Sequence, residues 1–590
     1  MNKKNVILAL LAAASFVTVR AQYVIRSESE LESLKKLPLE KMYLHTNTAL
    51  LFPGEYLYYS LYNINAATNK LSSISRMGYV ELVGEDLQTV FKQKVRLKGG
   101  RGQGDFFIPV SVPSGNYKLI GYTQWMKNAG LDQVFQQDIA IVNPYRTDQQ
   151  RVLTGEAVDS ISTSEETSLG EDRSILLLTD RDAYGKREMV SLTPRNFRGP
   201  LGYGDYSISV RRKGSLNAKN AMRAREFGTK YLQVTKTLPK TVNDSIFLPE
   251  QRGELFFGTV VDSNNQPVQD ETVILSIPGD DFQLKSAVTD RNGNFYAYIY
   301  KPYDASKLLA QTLDGGREDQ RIILKRKPSM NYEGLQFGDF TIDRKDEKAI
   351  LDRSVYNQIE NAYYSVKPDS ILAINEKDPY DGGTPDVIYL DEYTRFPTLR
   401  ETLIEVVPNL WVRKLDDGSY SFWVREEQER YEKDFESDPP LVLVDGIFVP
   451  NHNSLLEFNA RLIEKISILR DPLVLGSKKY LGMVVIETYE GDYLERMGTS
   501  KMAQYDLNLP ALEKNYFFQS YAPETSGEYQ RIPDFRYQLF WMPQFEIGKD
   551  TAEQSFEFYT SDVPGEYEIV LEGFTTYGKP ISTLTTITVD

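Results

Sequence analysis

The chain has 590 residues, no cysteine, two histidines and a formal net charge of −15. At about 150 residues per domain this length implies roughly three to five domains. The missing thiols exclude disulfides, thiolate metal sites and thiol nucleophiles, and the acidic balance argues against a nucleic-acid partner.

Hydrophobic residues make up 41% of the chain and aromatics 12%, with tyrosine dominant, which favours packed cores built from strands. Only His45 and His452 are available for a Ser-His-Asp triad or a histidine-based zinc site, so neither chemistry is expected.

Residues 1–21 read as a signal peptide: the basic start MNKKN, the apolar run VILALLAAASFV, and small residues at Val19 and Ala21 before Gln22. No cysteine follows the cleavage point, so a lipid anchor by that route is not expected. No later apolar stretch reaches the length of a transmembrane helix. The expected location is therefore the periplasm or the outer-membrane region.

From 22 to 145 a short charged helix leads into a β-sandwich. EKMYLHTNTALLFPGEYLYYSLYNI gives a strand, a Pro53-Gly54 turn, and alternation of Tyr56, Tyr58, Ser60 and Tyr62 against Leu57, Tyr59 and Leu61. Further hairpins follow in GYVELVGEDLQTVFKQKVRL and GDFFIPVSVPSGNYKLIGYTQWMKNAG. Several short strands over about 100 residues is the scale of an immunoglobulin-like sandwich. The Pro-Gly-Glu turn and the segment SGNYKLIGYTQWMKN resemble the macroglobulin-like domains of bacterial envelope proteins. In that family such domains surround a thioester made with cysteine, and that chemistry is impossible here.

Residues 146–172 are polar and acidic and read as a linker. Residues 173–250 suggest a second, degenerate sandwich of the same kind. Residues 251–327 read as a third sandwich. Gly258, Val260, Asp262, the turn before Pro267-Val268, and Thr289-Asp290 with Gly293 and Phe295 resemble the carboxypeptidase-regulatory-like module. DRNGN, from Asp290, is read as a turn and not as a calcium loop, because its glycine stands fourth where an EF-hand needs it about sixth.

Residues 328–388 are expected to hold a helix, DEKAILDRSVYNQIENAYYSV, and a Gly/Pro/Asp-rich connector. In the next domain, 389–495, Thr398 and Glu401 form a capping-box pattern, with Leu399, Leu403, Ile404 and Val407 on one helix side. A hairpin follows, turned by Asp416, Asp417 and Gly418, and then an acidic stretch from Arg425 to Pro440. LVLVDGIFV, LIEKISILRDP and LGSKKYLGMVVIETYEG resemble the plug domain of TonB-dependent outer-membrane transporters. Leu441, Leu443, Ile466 and Ile468 are expected in the core, and Gly476 and Gly482 at turns.

The transporter barrel of that family has roughly 22 strands of about 10 residues, hence at least about 220 residues. Only 97 residues follow Tyr493. Residues 496–590 are instead expected to form a C-terminal macroglobulin-like sandwich, with SDVPGEYEIVLEGF echoing SVPSGNYKLIGYT. The nearest candidate for a TonB-box segment, DVIYL at Asp386–Leu390, reads as a leading strand.

The expected fold class is thus mainly β: tandem immunoglobulin-like or macroglobulin-like sandwiches plus one small α+β plug-like domain without a barrel. These modules imply a non-enzymatic envelope protein that binds or scaffolds. Its expected partners are outer-membrane proteins, among them a TonB-dependent transporter. The other reading is a surface adhesin or receptor for peptide or glycan, using Trp125, Trp411, Trp423 or Trp541, although packing in inter-sheet cores is the better explanation of such residues. No catalytic, cofactor-binding or metal residue is assigned and no cofactor is expected. Asp416/Asp417 and Glu426/Glu427 read as turn and solvated face, KGGRGQGDF lacks the features of a phosphate loop, His45 reads as a hydrogen-bonded strand histidine, and His452 as a loop-exposed one.

Overall fold

The computed structural model describes residues 23–147, 152, 174–214, 216, 219–233, 237–314, 320–372, 377–425, 438–498, 502–523, 529–551 and 554–590. The expected signal peptide lies outside these residues, as do almost all of the 146–172 linker and most of the acidic stretch with Glu426 and Glu427. The chain is mainly β and forms two compact units, one of residues 1–251, 328–372 and 510–590, the other of 252–327 and 373–509.

The first unit opens with the expected sandwich. Strands Glu40–Thr46, Tyr56–Asn65 and Arg101–Phe107 form one sheet. Leu50–Leu51, Phe135–Ile141, Gly115–Tyr122, Met77–Gly84 and Thr89–Arg96 form the other. Leu57, Tyr59 and Leu61 point into the core as the alternation requires. Ser60 and Tyr62, on the opposite face, are buried too. Ser60 Oγ donates to the Pro543 carbonyl at 2.7 Å and the Tyr62 hydroxyl to Ser207 Oγ at 2.9 Å. The outer sheet face is covered by residues 328–342, which the sequence reading took as part of a helix-and-linker segment. Met330 and Leu335 join the sandwich core, and the Phe340 amide donates to Asn116 Oδ1 at 3.1 Å.

The largest departure from expectation concerns residues 173–250 and 496–590. They are not two sandwiches. Ile175–Thr179, Met189–Asn196 and Phe556–Tyr559 share one sheet. Ala183–Tyr184, Pro580–Val589, Gly565–Thr575, Gly204–Arg212 and Gln538–Ile547 share the other. Gly204–Arg212 pairs antiparallel with Gly565–Thr575 on one edge and with Gln538–Ile547 on the other. Each half alone leaves bare strand edges and half a core; together, Ile208 and Val210 meet Phe545, Ile569 and Leu571 in one cluster. Among the described residues of 213–250, none belongs to a sandwich sheet. Helix Ala224–Tyr231 sends Phe227 and Tyr231 into the first sandwich core, beside Tyr43, Phe135 and Phe574.

The echo between the two sandwiches has a structural basis. The Tyr117 hydroxyl donates to the Pro113 carbonyl at 2.7 Å, and that of Tyr567 to the Val563 carbonyl at 2.8 Å. Tyr206 repeats this with the Gly202 carbonyl at 2.9 Å. Each is a tyrosine reaching four residues back to close a corner, a device of sandwich folds.

In the second unit, Glu254–Asp262, Asn294–Ile299 and Gln320–Lys325 form one sheet of the 254–325 sandwich. Thr272–Ile277, Gln283–Val288 and Lys307–Thr312 form the other, completed by Ala503–Asp506, a segment expected in the C-terminal sandwich. Asp290 serves its turn: Oδ1 accepts from the amides of Asn292 at 2.8 Å and Asn294 at 3.0 Å. A mixed sheet follows in the order Asp386–Tyr389, Ile463–Leu475, Lys478–Thr488, Leu441–Val444, Ile447–Phe448. Leu441, Leu443, Ile466 and Ile468 are all buried. Gly476 turns the chain, but Gly482 lies inside Lys478–Thr488, opposite a register shift at Leu469/Pro472, where a Cβ would stand 2.6 Å from the Leu469 carbonyl.

One buried carboxylate binds the first unit together. Glu55, from the Pro53-Gly54-Glu55 turn, accepts from Arg353 Nε and Nη2, both at 2.7 Å, and from Arg211 Nη2 at 3.0 Å. Arg353 stands on helix Glu347–Ala362 and Arg211 on Gly204–Arg212, so three separate chain segments meet at one carboxylate. From the same helix, Asn361 Nδ2 donates to the Gly54 carbonyl at 3.1 Å.

Breaking one member of a buried ion cluster costs about 3–5 kcal/mol, because the remaining charges lose their partner. Glu55→Gln and Arg353→Ala should each destabilise the first unit by about that much. Urea denaturation followed through the His45 imidazole resonance measures it, since His45 lies in this unit and His452 in the other.

Candidate functional site

The mixed-sheet module of the second unit exposes the surface best suited to recognition. Helix Leu399–Glu405 is capped by Thr398, whose side chain accepts from the Glu401 amide at 3.3 Å. It buries Leu399 and Leu403, with Val407 just beyond it, under one face of the sheet. Ile404 was expected with them and is instead 64% exposed, because it sits about 100° around the helix from Leu403. Hairpin Leu410–Lys414/Tyr420–Val424 puts Leu410, Phe422 and Val424 into that core. Period two turns Trp411 and Arg413 outward. Trp411 is 44% exposed and lies directly opposite Trp423, and the Arg413 guanidinium sits over the Trp423 ring at 4.8 Å.

The sheet's other face is sealed by the 254–325 sandwich within the same unit. Leu441, Leu443, Phe448, Tyr480 and Val485 pack with Ile274, Phe282 and Leu313. Gln311 Nε2 donates to the Phe448 carbonyl at 2.5 Å. The Asp445-Gly446 turn, with φ of +50° and +79°, is the two-residue hairpin that Asp-Gly favours. The Asp445 carboxylate accepts from the amides of Thr488 at 2.7 Å and Tyr493 at 3.0 Å and from the Thr488 hydroxyl at 2.8 Å. At Gly446 a Cβ would lie 2.6 Å from the Phe282 Cβ, so the turn seats against the sandwich only with glycine there.

The other residues singled out by sequence occupy structural places. Trp125 is buried and donates through Nε1 to the Pro38 carbonyl at 3.0 Å. Trp541 is buried beside His45, ring centroids 5.1 Å apart. Asp417 Oδ1 accepts from the amide and hydroxyl of Ser419, as a turn residue does. Gly99 and Gly100 turn the chain into Arg101–Phe107. His45 Nδ1 lies 2.6 Å from Ser207 Oγ. His452 is not loop-exposed. Its Nδ1 accepts from the Phe422 amide at 3.1 Å and lies 3.0 Å from Ser421 Oγ, because a short turn at His452–Leu455 docks onto the hairpin.

No protein-family model and no curated protein matches the sequence. Among solved structures, the chain is similar to Escherichia coli alpha-2-macroglobulin activated by porcine elastase, with TM-score 0.23 and 8% identity over 93% of this chain and 44% of that one. Salmonella alpha-2-macroglobulin reacted with methylamine gives TM-score 0.23 and 8% identity over 97% and 41%. The Yersinia pseudotuberculosis adhesin InvE gives 0.12 and 9% over 48% and 57%. The chain spans less than half the length of these macroglobulins, and at these TM-scores no activity carries over.

Burial lowers both histidines, His45 to about 3, with help from the Arg223 charge, and His452 to about 4. Below about 6.5 the unfolded chain therefore takes up protons that the folded chain refuses. Each unit should lose about 1.4 kcal/mol per pH unit through its histidine as pH falls from about 6.5, down to about 3 for His45 and 4 for His452. In the first unit Glu55 adds to this. Burial pushes its carboxyl up, but Arg353 and Arg211 together hold it at about 2, so its contribution is complete above about 4.5 and is lost towards pH 2. Urea titrations at stepped pH, read at each histidine, check both slopes. Gly446→Ala, strained in φ and in space, should cost the second unit about 1–3 kcal/mol in the same assay.

Proposed function

We propose that this chain is a non-enzymatic binding and scaffold protein of the cell envelope, an accessory of an outer-membrane TonB-dependent transport or assembly system. In this reading residues 1–21 export it and it works in the periplasm or at the outer membrane. The first and split sandwiches act as macroglobulin-like spacers, the 254–325 sandwich is carboxypeptidase-regulatory-like, and the mixed sheet is plug-like. The observation that carries the proposal is that the mixed sheet is covered on both faces inside its own unit. A sheet finished in this way needs no barrel lumen to complete its core and is free to present its hairpin and helix to another protein.

A second reading, a surface adhesin or receptor for peptide or glycan, is favoured by one feature: the Trp411–Trp423 pair on the outward hairpin face, since indole rings stack on sugars and peptides.

Affinity capture from detergent-solubilised envelopes of the native host separates the two. The accessory role predicts recovery of an outer-membrane barrel protein with the mature chain. The adhesin role predicts no barrel, and glycan-array or peptide binding that the Trp411→Ser/Trp423→Ser variant abolishes. Recovery of neither overturns both.

A further inference from the structure

Residues 211–225, RRKGSLNAKNAMRAR, hold six basic side chains and no acidic one, inside a chain of net charge −15. In the first unit the described residues of this stretch border a cleft of about 350 Å³ between the end of Gly204–Arg212, the 45–50 segment and Gly565–Thr575. Arg211, Arg212, Lys213, Lys219, Arg223 and Arg353 line it, against Glu568 and Glu572.

The deep cations are already compensated. Arg211 and Arg353 hold Glu55, and Arg223 reaches Glu572 at 3.3 Å. The cations nearer solvent are held more loosely. Arg212 donates to neutral groups, the Pro564 carbonyl at 2.9 Å and the Tyr537 hydroxyl at 3.1 Å. Lys213 and Lys219 meet Glu566 at 3.6 Å and Asp339 at 3.3 Å only through pairs in which both side chains are more than half exposed, and solvent screens such pairs heavily. Counted in full, the six lining cations stand against Glu55, Glu566, Glu568, Glu572 and Asp339, so the cleft keeps a surplus of about one positive charge, which suits a singly ionised phosphate.

The wall adds a hydrogen-bonding group. His45 Nδ1 lies 2.6 Å from Ser207 Oγ, which accepts from the Tyr62 hydroxyl at 2.9 Å and can donate to the Glu572 carbonyl at 3.4 Å. The other ring nitrogen, Nε2, is buried and without a partner. His45 lines the cleft, so a ring nitrogen that no described protein group satisfies stands beside its wall.

We infer that this cleft binds a phosphate-bearing ligand, held by Arg212, Lys213 and Lys219 with His45 in the wall. Guanidinium and ammonium groups suit phosphate oxygens, and His45 in its Nε2–H tautomer would add a donor. The phosphate belongs either to a soluble phosphorylated molecule or to a lipid headgroup. The inference does not depend on the proposed scaffold role.

The test uses the mature full-length chain, titrated with pyrophosphate by calorimetry and NMR and sedimented with phosphatidylglycerol/phosphatidylcholine vesicles. The comparison is Lys213→Ser/Lys219→Ser, whose replaced side chains are mostly in solvent, so folding is preserved. Pyrophosphate should bind one to one, shift the His45 resonance and leave His452 in place, and the variant should bind about tenfold more weakly. Vesicle binding without pyrophosphate binding, lost in the variant, assigns the phosphate to a lipid. The inference is overturned if neither probe binds, if the variant binds as well as the parent, or if His45 does not respond to bound pyrophosphate.

Discussion

Strand Gly204–Arg212 is hydrogen-bonded along both edges to strands from the C-terminal part of the chain. Between them the chain leaves the first unit twice and must come back each time before that sheet can close. Loop-closure entropy grows only slowly with loop length, so an excursion that folds by itself is tolerated. The second unit is that excursion, made in two instalments, with residues 328–372 returning between them. The returning segment is used twice: residues 328–342 cover the first sandwich, and helix Glu347–Ala362 delivers Arg353 to Glu55. Arg211, on the doubly paired strand itself, reaches the same carboxylate.

The helix shows how polar chemistry decides orientation here. Glu347–Ala362 buries Arg353, Ser354 and Asn357 and leaves Leu351 and Val355 about half exposed. Hydrophobic patterning alone would turn it the other way. The Glu55 cluster overrides the pattern because a buried carboxylate without cations costs more than two exposed aliphatic side chains.

What the sequence made legible was local. Pro53-Gly54, Asp445-Gly446 and Asp417-Gly418 are turns because few other residues tolerate those backbone angles, and Thr398 caps its helix as its hydroxyl predicts. Alternation set Leu57, Tyr59 and Leu61 on one strand face and named Leu441 and Ile466 as core, and all five are buried. Alternation names the buried face of a strand but not its partner, so the pairing of residues 204–212 with 565–575 was invisible. The strap PSMNYEGLQFGDF has no period to read and is ordered only by the surface it covers. His452 looked solvated because the hairpin that buries it lies some thirty residues earlier in the chain. The basic run 211–225 stands in the composition, but only the fold shows that its described residues border a cleft.

Native-state hydrogen exchange in rising denaturant tests the split sandwich most directly, because strands of one cooperative unit must open together. The account predicts that amides of Gly204–Arg212 and Gly565–Thr575 merge into a single unfolding isotherm. Loss of protection in 565–575 while 204–212 stays protected would contradict it.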